Sequence, residues 1–397
     1  MSSGDWILQT AKELTFDDNT KDAFVRTLKK AQHGDVRAQF NIGVMHFKGK
    51  GVPQSYGKAH TWLLKAAEQG YADAHFSLGV MYHHGQGVPQ NNCRAFEWYL
   101  KAAEQRHGQA KYNVGLMYYS GLGVSQDFNK AYAWFLKAEK HRYARAQRQL
   151  GDMYCCGDGV PQNYSKAHEW YLKAANQKDI DAQVYLGVMY FDGDGVPQDY
   201  SKAYGWFLKA ANQGNIDAQN KMGEMYYDGH GVRQDYTVAC KWYLKAAKQG
   251  GAMAQFNVGL LYERGLGVPQ DYSKASEWYL KAAEQGKSGA KVNLGYMYCK
   301  GRGVPRDFYL AYKWFLGAAH QGCAIALKNL GVMYDKGLGV SQDLIRAYAW
   351  YNASEVQGEN KAIELKSTLL KKMNLEDMAK AQALTQAYYD MYVEPFR

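Results

Sequence analysis

Side chains able to hold a metal or act as nucleophiles are sparse in this 397-residue chain, and their spacing points away from both tasks. The adjacent pairs are His83-His84 and Cys155-Cys156. Consecutive residues of a helix point about 100° apart, so neither doublet chelates a metal by itself. A site would need ligands gathered from several segments, and no Cys/His spacing demands one. The six cysteines recur at no matched pair of positions, which favours free thiols over a disulfide framework. No G-x-S-x-G, Walker or zincin motif occurs. A G-x-G-V segment resembles a phosphate loop, but it appears nine times, from Gly49-Lys50-Gly51-Val52 to Gly337-Leu338-Gly339-Val340. Nine copies of one turn are architecture. The expectation is therefore no enzyme: no catalytic residue, no metal and no cofactor.

The copies are spaced by 36 residues. Tryptophan keeps the same interval at Trp62, Trp98, Trp134, Trp170, Trp206, Trp242, Trp278, Trp314 and Trp350, and a glycine does so from Gly43 to Gly331. A fixed period of this size signals stacked supersecondary units. Nine units fill residues 35–358 without insertion, as 35–70, 71–106, 107–142, 143–178, 179–214, 215–250, 251–286, 287–322 and 323–358. Residues 1–34 read as an N-terminal capping region and 359–397 as C-terminal capping helices. In the first, 21–34 align with a lone second helix, with Arg26 at the tryptophan register. In the second, 359–373 resemble a degenerate first helix with Ser367 at the glycine register, and Asn374 caps a last helix that lids the final unit.

In residues 179–214, Ala182, Leu186, Gly187, Met189 and Tyr190 line one side of a first helix, helix A. Gly193 and Gly195 end it, since glycine accepts the left-handed conformation of a helix C-terminus. Val196 plugs the turn, Pro197 delays a restart and Asp199 caps the next helix. Helix B follows, with Ala203, Trp206, Phe207 and Ala210 as the expected buried stripe. The alanines at 182 and 203 recur in all nine units and let helices approach closely.

The pattern A-x-x-x-L-G-x-M-Y-x-x-G-x-G-V-P-Q-D-Y-x-K-A-x-x-W-[YF]-L-K-A-A-x-Q-G resembles the Sel-one-like repeat (SLR) family, a relative of the tetratricopeptide repeats. The resemblance covers about four fifths of the chain. It implies an all-α, right-handed superhelical solenoid of antiparallel helix pairs. It also implies a non-enzymatic adaptor that binds a protein or peptide partner, with helix A lining the concave face. The cysteine pair of secreted members is missing, which argues against that branch.

Positions identical in all nine copies are packing, and positions that vary are free to carry specificity. On helix A the variable positions are the third, sixth, tenth and thirteenth of the unit, which share one face. They hold Phe40, Val44 and Phe47, then Phe76, Val80 and His83, then Tyr112, Leu116 and Tyr119. Arg148 and Asp152 follow, then Phe191, then Glu224 and Tyr227. Exposed aromatic residues rimmed by polar groups suit a partner, so this face reads as a groove, strongest over the first three units. The alternative is that these side chains pack one helix A on the next. A dedicated inhibitor or immunity-type protein for one toxin or enzyme is a narrower form of the scaffold reading.

The net charge of +10 and a helix-B lysine ladder (Lys65, Lys101, Lys137, Lys173, Lys209, Lys245, Lys281) raise nucleic acid as a partner. The ladder fits better as a solvated face: Glu97, Glu169 and Glu277 stand four residues before a lysine, and the aromatics belong to the core. The chain shows no secretory signal and no membrane-spanning run, and is expected to be cytoplasmic. Oligomeric state is not legible.

Overall fold

The computed structural model describes residues 20–140 and 143–396, with side chains from residue 23. Residues 1–19 of the N-terminal capping region thus lie outside the described residues. What is described is all-helical, without a strand, and divides into two compact units, residues 1–199 and 200–397.

The first unit opens with α1 (Thr20–Gln32), followed by the pairs α2 (Val36–Lys48) with α3 (Tyr56–Glu68) and α4 (Ala72–His84) with α5 (Asn92–Glu104). The pairs α6 (Gly108–Ser120) with α7 (Phe128–Glu139) and α8 (Ala144–Cys156) with α9 (Tyr164–Asn176) come next, and α10 (Ile180–Asp192) ends it. The second unit opens with α11 (Tyr200–Asn212). Its pairs are α12 (Ile216–Asp228) with α13 (Tyr236–Lys248), α14 (Ala252–Arg264) with α15 (Tyr272–Glu284), α16 (Ser288–Lys300) with α17 (Phe308–Ala319), and α18 (Ala324–Lys336) with α19 (Leu344–Val356). It closes with α20 (Asn360–Leu370), α21 (Leu375–Tyr392) and a short 3-10 turn. Within each unit successive helices pack on one another, except at the end, where both α20 and α21 pack on α19.

The turn chemistry sets these boundaries. Helix A ends on a left-handed glycine, such as Gly85 (φ 68°), whose N–H donates to Met81 O. Helix B begins on a side-chain cap: Asn91 accepts from Arg94 N at 3.0 Å and Asp127 from Lys130 N at 2.9 Å. The second glycine of the turn has a further task. A Cβ on Gly87 would lie 2.6 Å from the Tyr56 carbonyl carbon, at the start of helix B one repeat earlier. The turn therefore seats each repeat on the one before it.

Inside a pair, the helix-A glycine gives room to helix B. A Cβ on Gly79 would lie 2.5 Å from Tyr99 Cδ1. Tyr99 fills that space completely, as do Phe135, Phe207, Tyr279, Phe315 and Tyr351 at the same register. Each buried ring contributes about 2–3 kcal/mol relative to exposure. The expected role of tryptophan is corrected here. The residue after each tryptophan fills the pair, while Trp62, Trp98, Trp134, Trp170, Trp206, Trp242, Trp278 and Trp314 are only half-buried. In the first seven copies a lysine one turn later covers the ring instead, from Lys173 Nζ 3.7 Å above Trp170 to Lys65 Nζ 4.6 Å above Trp62, while Gly317 stands at that place after Trp314. Neighbouring residues on a helix face about 100° apart, so one of the two aromatics must leave the interior.

Trp350 is the buried exception. No lysine follows it, and α21 supplies the cover: the rings of Tyr388 and Tyr392 sit 4.4 and 4.8 Å from its own. Asn374 caps α21 by accepting from Asp377 N at 2.8 Å. At the other end Arg26 is exposed on α1.

A polar chain runs through each stack. Gln39 donates to Ala31 O at 3.2 Å and accepts from Gln69 Nε2 at 2.8 Å. The same link joins Gln147 to Gln177, Gln219 to Gln249 and Gln255 to Gln285. It satisfies amides that burial would otherwise leave unpaired.

Candidate functional site

Structure sorts the variable helix-A residues by depth. Phe40, Val44, Phe76 and Val80 are at most 3% exposed, so the open face expected over the first two repeats is closed. The reason is a matched partner in the next repeat. Position six of one repeat meets position one of the next: Phe40 packs on Tyr71 (ring centroids 5.1 Å apart), Phe76 stacks on His107 (4.6 Å) and Tyr112 meets Tyr143 (5.1 Å). Position thirteen turns to its own helix B, Phe47 on Tyr56 and Tyr119 on Phe128, both at 5.1 Å. Variation between copies thus follows the neighbouring position as much as any ligand.

The aromatic series ends at Arg148. Its partner at position one is Asp179, with Nε 3.6 Å from Oδ1. Asp181 Oδ2 lies 3.7 Å from the same nitrogen, and Nη1 donates to Asp152 Oδ2 at 3.3 Å. Asp152 also accepts from the Tyr171 hydroxyl at 2.8 Å. Burial raises the Asp152 carboxyl above its ordinary value, against the opposing pull of the Tyr171 hydrogen bond and the Arg148 charge. Arg148 Nε, although close to two carboxylates, makes no hydrogen bond.

A cleft of about 770 Å³ opens where the aromatic pairing gives way to the ionic one. Helices α6, α8 and α10 build it. Tyr112, Leu116 and Tyr119 form an apolar wall with exposed Leu122 beside it, and Tyr143, packed on Tyr112, and Ile180 also line the cleft. Arg145, Arg148, Lys178, Asp179 and Asp181 supply its charge. The Tyr119 hydroxyl donates to Asp158 at 2.6 Å, and that carboxylate holds the phenol pKa up. Burial pushes Tyr112 up to about 12.

Five of the residues singled out from sequence therefore meet at one place: His83, Tyr112, Leu116, Tyr119 and Arg148. Asp152 lies behind Arg148. Phe47 and Phe191 are half-buried elsewhere on the first unit. In the second unit Glu224 pairs with Lys221 at 3.0 Å, and Tyr227 accepts from Arg264 at 3.2 Å. Arg145, at the third position of the variable face, also lines the cleft, and sequence reading missed Lys178. A signal for Lys178 was present: it stands where most copies end on glycine.

No group of three or more His, Cys, Asp or Glu side chains among the described residues could hold a metal. None of the described helices is long and apolar enough to cross a membrane.

The chain resembles solved structures of the same architecture. A protective antigen present in uropathogenic Escherichia coli strains, displaying an SLR fold, is 31% identical over 94% of this chain and 96% of its own, with a TM-score of 0.55. A Sel1 repeat protein from Oxalobacter formigenes is 33% identical over 79% of this chain and 92% of its own, with a TM-score of 0.65. No curated protein matches the chain in sequence. The Sel1 repeat pattern itself matches nine times, at residues 36–71, 72–107, 108–141, 144–179, 180–215, 216–251, 252–287, 288–323 and 324–354. Repeats of this kind typically mediate protein–protein interaction and form scaffolds without catalysis. With the period, the paired helices and these matches in agreement, the chain belongs to the Sel1 repeat family.

Proposed function

We propose that the protein is a non-enzymatic interaction scaffold that holds a segment of a protein partner in the cleft on α6, α8 and α10. The observation that carries this reading is the apolar wall of Tyr112, Leu116 and Tyr119 beside exposed Leu122, in a recess rimmed by charge. An aromatic wall with a polar rim is the anatomy of a binding hot spot. A recess of this size admits one or two large side chains, which suits a peptide-like segment. The flat remainder of helix A, closed by ring stacking, would add contact area and little energy.

A photo-crosslinking residue at Leu122 tests the reading, with a second at Tyr309, also exposed, in the other unit. A discrete adduct in cells of the native host is expected at 122 and not at 309. Leu116→Arg should abolish it while circular dichroism still reports a folded chain. Equal adducts at both positions, or an adduct indifferent to Leu116→Arg, would sink the cleft as the partner site.

A further inference from the structure

Nine copies of one design make departures informative. The last position of a repeat lies in the left-handed backbone region and is glycine at Gly34, Gly70, Gly214, Gly250, Gly286, Gly322 and Gly358. Three consecutive copies break the rule with Arg106, Arg142 and Lys178. Arg142 lies outside the described residues. Arg106 (φ 69°) and Lys178 (φ 67°) keep the glycine conformation, which is unfavourable for a residue with a Cβ.

Packing does not explain the exchange. A Cβ on Gly34, Gly70, Gly214 or Gly250 would meet no atom within 4 Å, so the position opens to solvent. A side chain there neither fills a void nor relieves strain. What it adds is positive charge, two residues ahead of each of the three helices, α6, α8 and α10, that build the cleft. Residues held in an unfavourable conformation without a structural return are candidates for function.

The surroundings agree in sign. Residues 107–178 carry ten lysines and arginines against five aspartates and glutamates, half of the net charge of +10 in under a fifth of the chain. Lys111, one turn into α6, has its pKa lowered by burial and then by Arg106, Lys137 and Lys140. Within the cleft, Asp179 and Asp181 are already engaged by Arg148. Arg145 and Lys178 are left to set the charge a ligand meets.

We propose that the cleft takes an acidic segment of its protein partner, with carboxylates held by Arg145 and Lys178 at the lip, Arg106 adding charge beside it, and one large apolar side chain against Tyr112 and Leu116. This rests on the cleft being the partner site, and adds the chemistry of what enters. Charge complementarity of this kind steers encounter and selects among partners. Nucleic acid fits less well, because Arg145, Arg148 and Lys178 are the lysines and arginines that line the recess, and a phosphate backbone asks for a longer basic track.

The test uses the full chain and a fluorescein-labelled peptide, Asp-Glu-Leu-Phe-Glu-Asp, read by fluorescence anisotropy. Its counterpart, Lys-Lys-Leu-Phe-Lys-Lys, keeps the apolar centre. The acidic peptide should bind at least about tenfold more tightly than the basic one and weaken as salt rises. Arg106→Gly with Lys178→Gly restores the repeat's own glycine, so the variant should melt no lower than wild type while losing at least about threefold in affinity for the acidic peptide. A merely structural role for these residues predicts the reverse, a lower melting temperature with affinity unchanged. Equal binding of the two peptides, or no binding of either, overturns the acidic proposal. If the Leu122 adduct persists in that case, the cleft itself stands; if it too is missing, both readings fall. A ten-residue oligouridylate that binds more tightly than the acidic peptide also overturns the proposal.

Discussion

Arg148 and Asp179 form an ion pair, Nε to Oδ1 3.6 Å, at the register where Phe76 and His107 form a ring stack two repeats earlier. The chain thus solves one contact between successive A helices in two chemistries. Exchanging them should work only in pairs. Arg148→Phe alone leaves Asp152, Asp179 and Asp181 without their cation and should cost about 3 kcal/mol at neutral pH. Asp179→Tyr alone loses the helix cap to Ala182 N as well as the pair, about 1–2 kcal/mol. The double variant should recover at least about 1 kcal/mol of the sum, measured by urea unfolding as a double-mutant cycle. Strict additivity would refute the pairing.

This relation also marks where the sequence stops being legible. The period, the helix pairs, the turn glycines and the caps follow from residue types that each force one local geometry. The groove was read from variation between copies, and variation has two causes. Tyr112 and Arg148 differ because Tyr143 and Asp179 differ opposite them, which no single repeat reveals. Trp98 and Tyr99 are equally periodic, so periodicity cannot say which ring enters the pair and which meets Lys101. The depth of the tenth position, closed at Val44 and Val80 and open to the cleft at Leu116, is a property of the assembled stack. Arg106 and Lys178, by contrast, were readable as departures from glycine.

His75 stands at the register of Gln39, Gln147 and Gln219. It makes the same two contacts, with the Ala67 carbonyl and with Gln105 Nε2 at 3.0 Å from its Nδ1. Accepting at Nδ1 requires the neutral ring. Burial lowers the His75 pKa below its ordinary 6.5, and the Lys101 charge lowers it further. The unfolded chain therefore binds the proton more readily. The stability this group contributes is fully present above pH 6.5 and declines as the pH falls toward the folded pKa. His75→Gln should flatten the fall in melting temperature between pH 7 and 5.5. His46, His60 and His84, also lowered by burial, should leave a residual slope. An unchanged profile would remove His75 from the acid response.

Gly79→Ala places a methyl group against the rigid Tyr99 ring and should cost about 1–3 kcal/mol. Gly43→Ala meets the flexible Leu63 side chain instead and should cost less. Tyr99→Leu in the Gly79→Ala background should recover part of the loss. Denaturant midpoints of the four proteins decide it, and equal costs at Gly43 and Gly79 would contradict the role assigned to the ring.

Trp350 owes its burial to Tyr388 and Tyr392. Replacing both tyrosines by alanine should lower stability by about 3 kcal/mol or more and shift the Trp350 emission to longer wavelength. Subtracting the spectrum of the matching Trp350→Phe chain isolates that signal. An unshifted difference spectrum would mean that another group covers the indole.

The seat of Gly87 on Tyr56 has a consequence for heredity. Each repeat carries both halves of that contact, a turn glycine for the copy before it and a helix-B start for the copy after. A gene segment encoding 36 residues, copied in register from any starting point, restores both halves at the new junction, whereas a segment of another length parts them. Such a gene can lengthen or shorten its product by ordinary recombination between copies, without any new interface having to arise first.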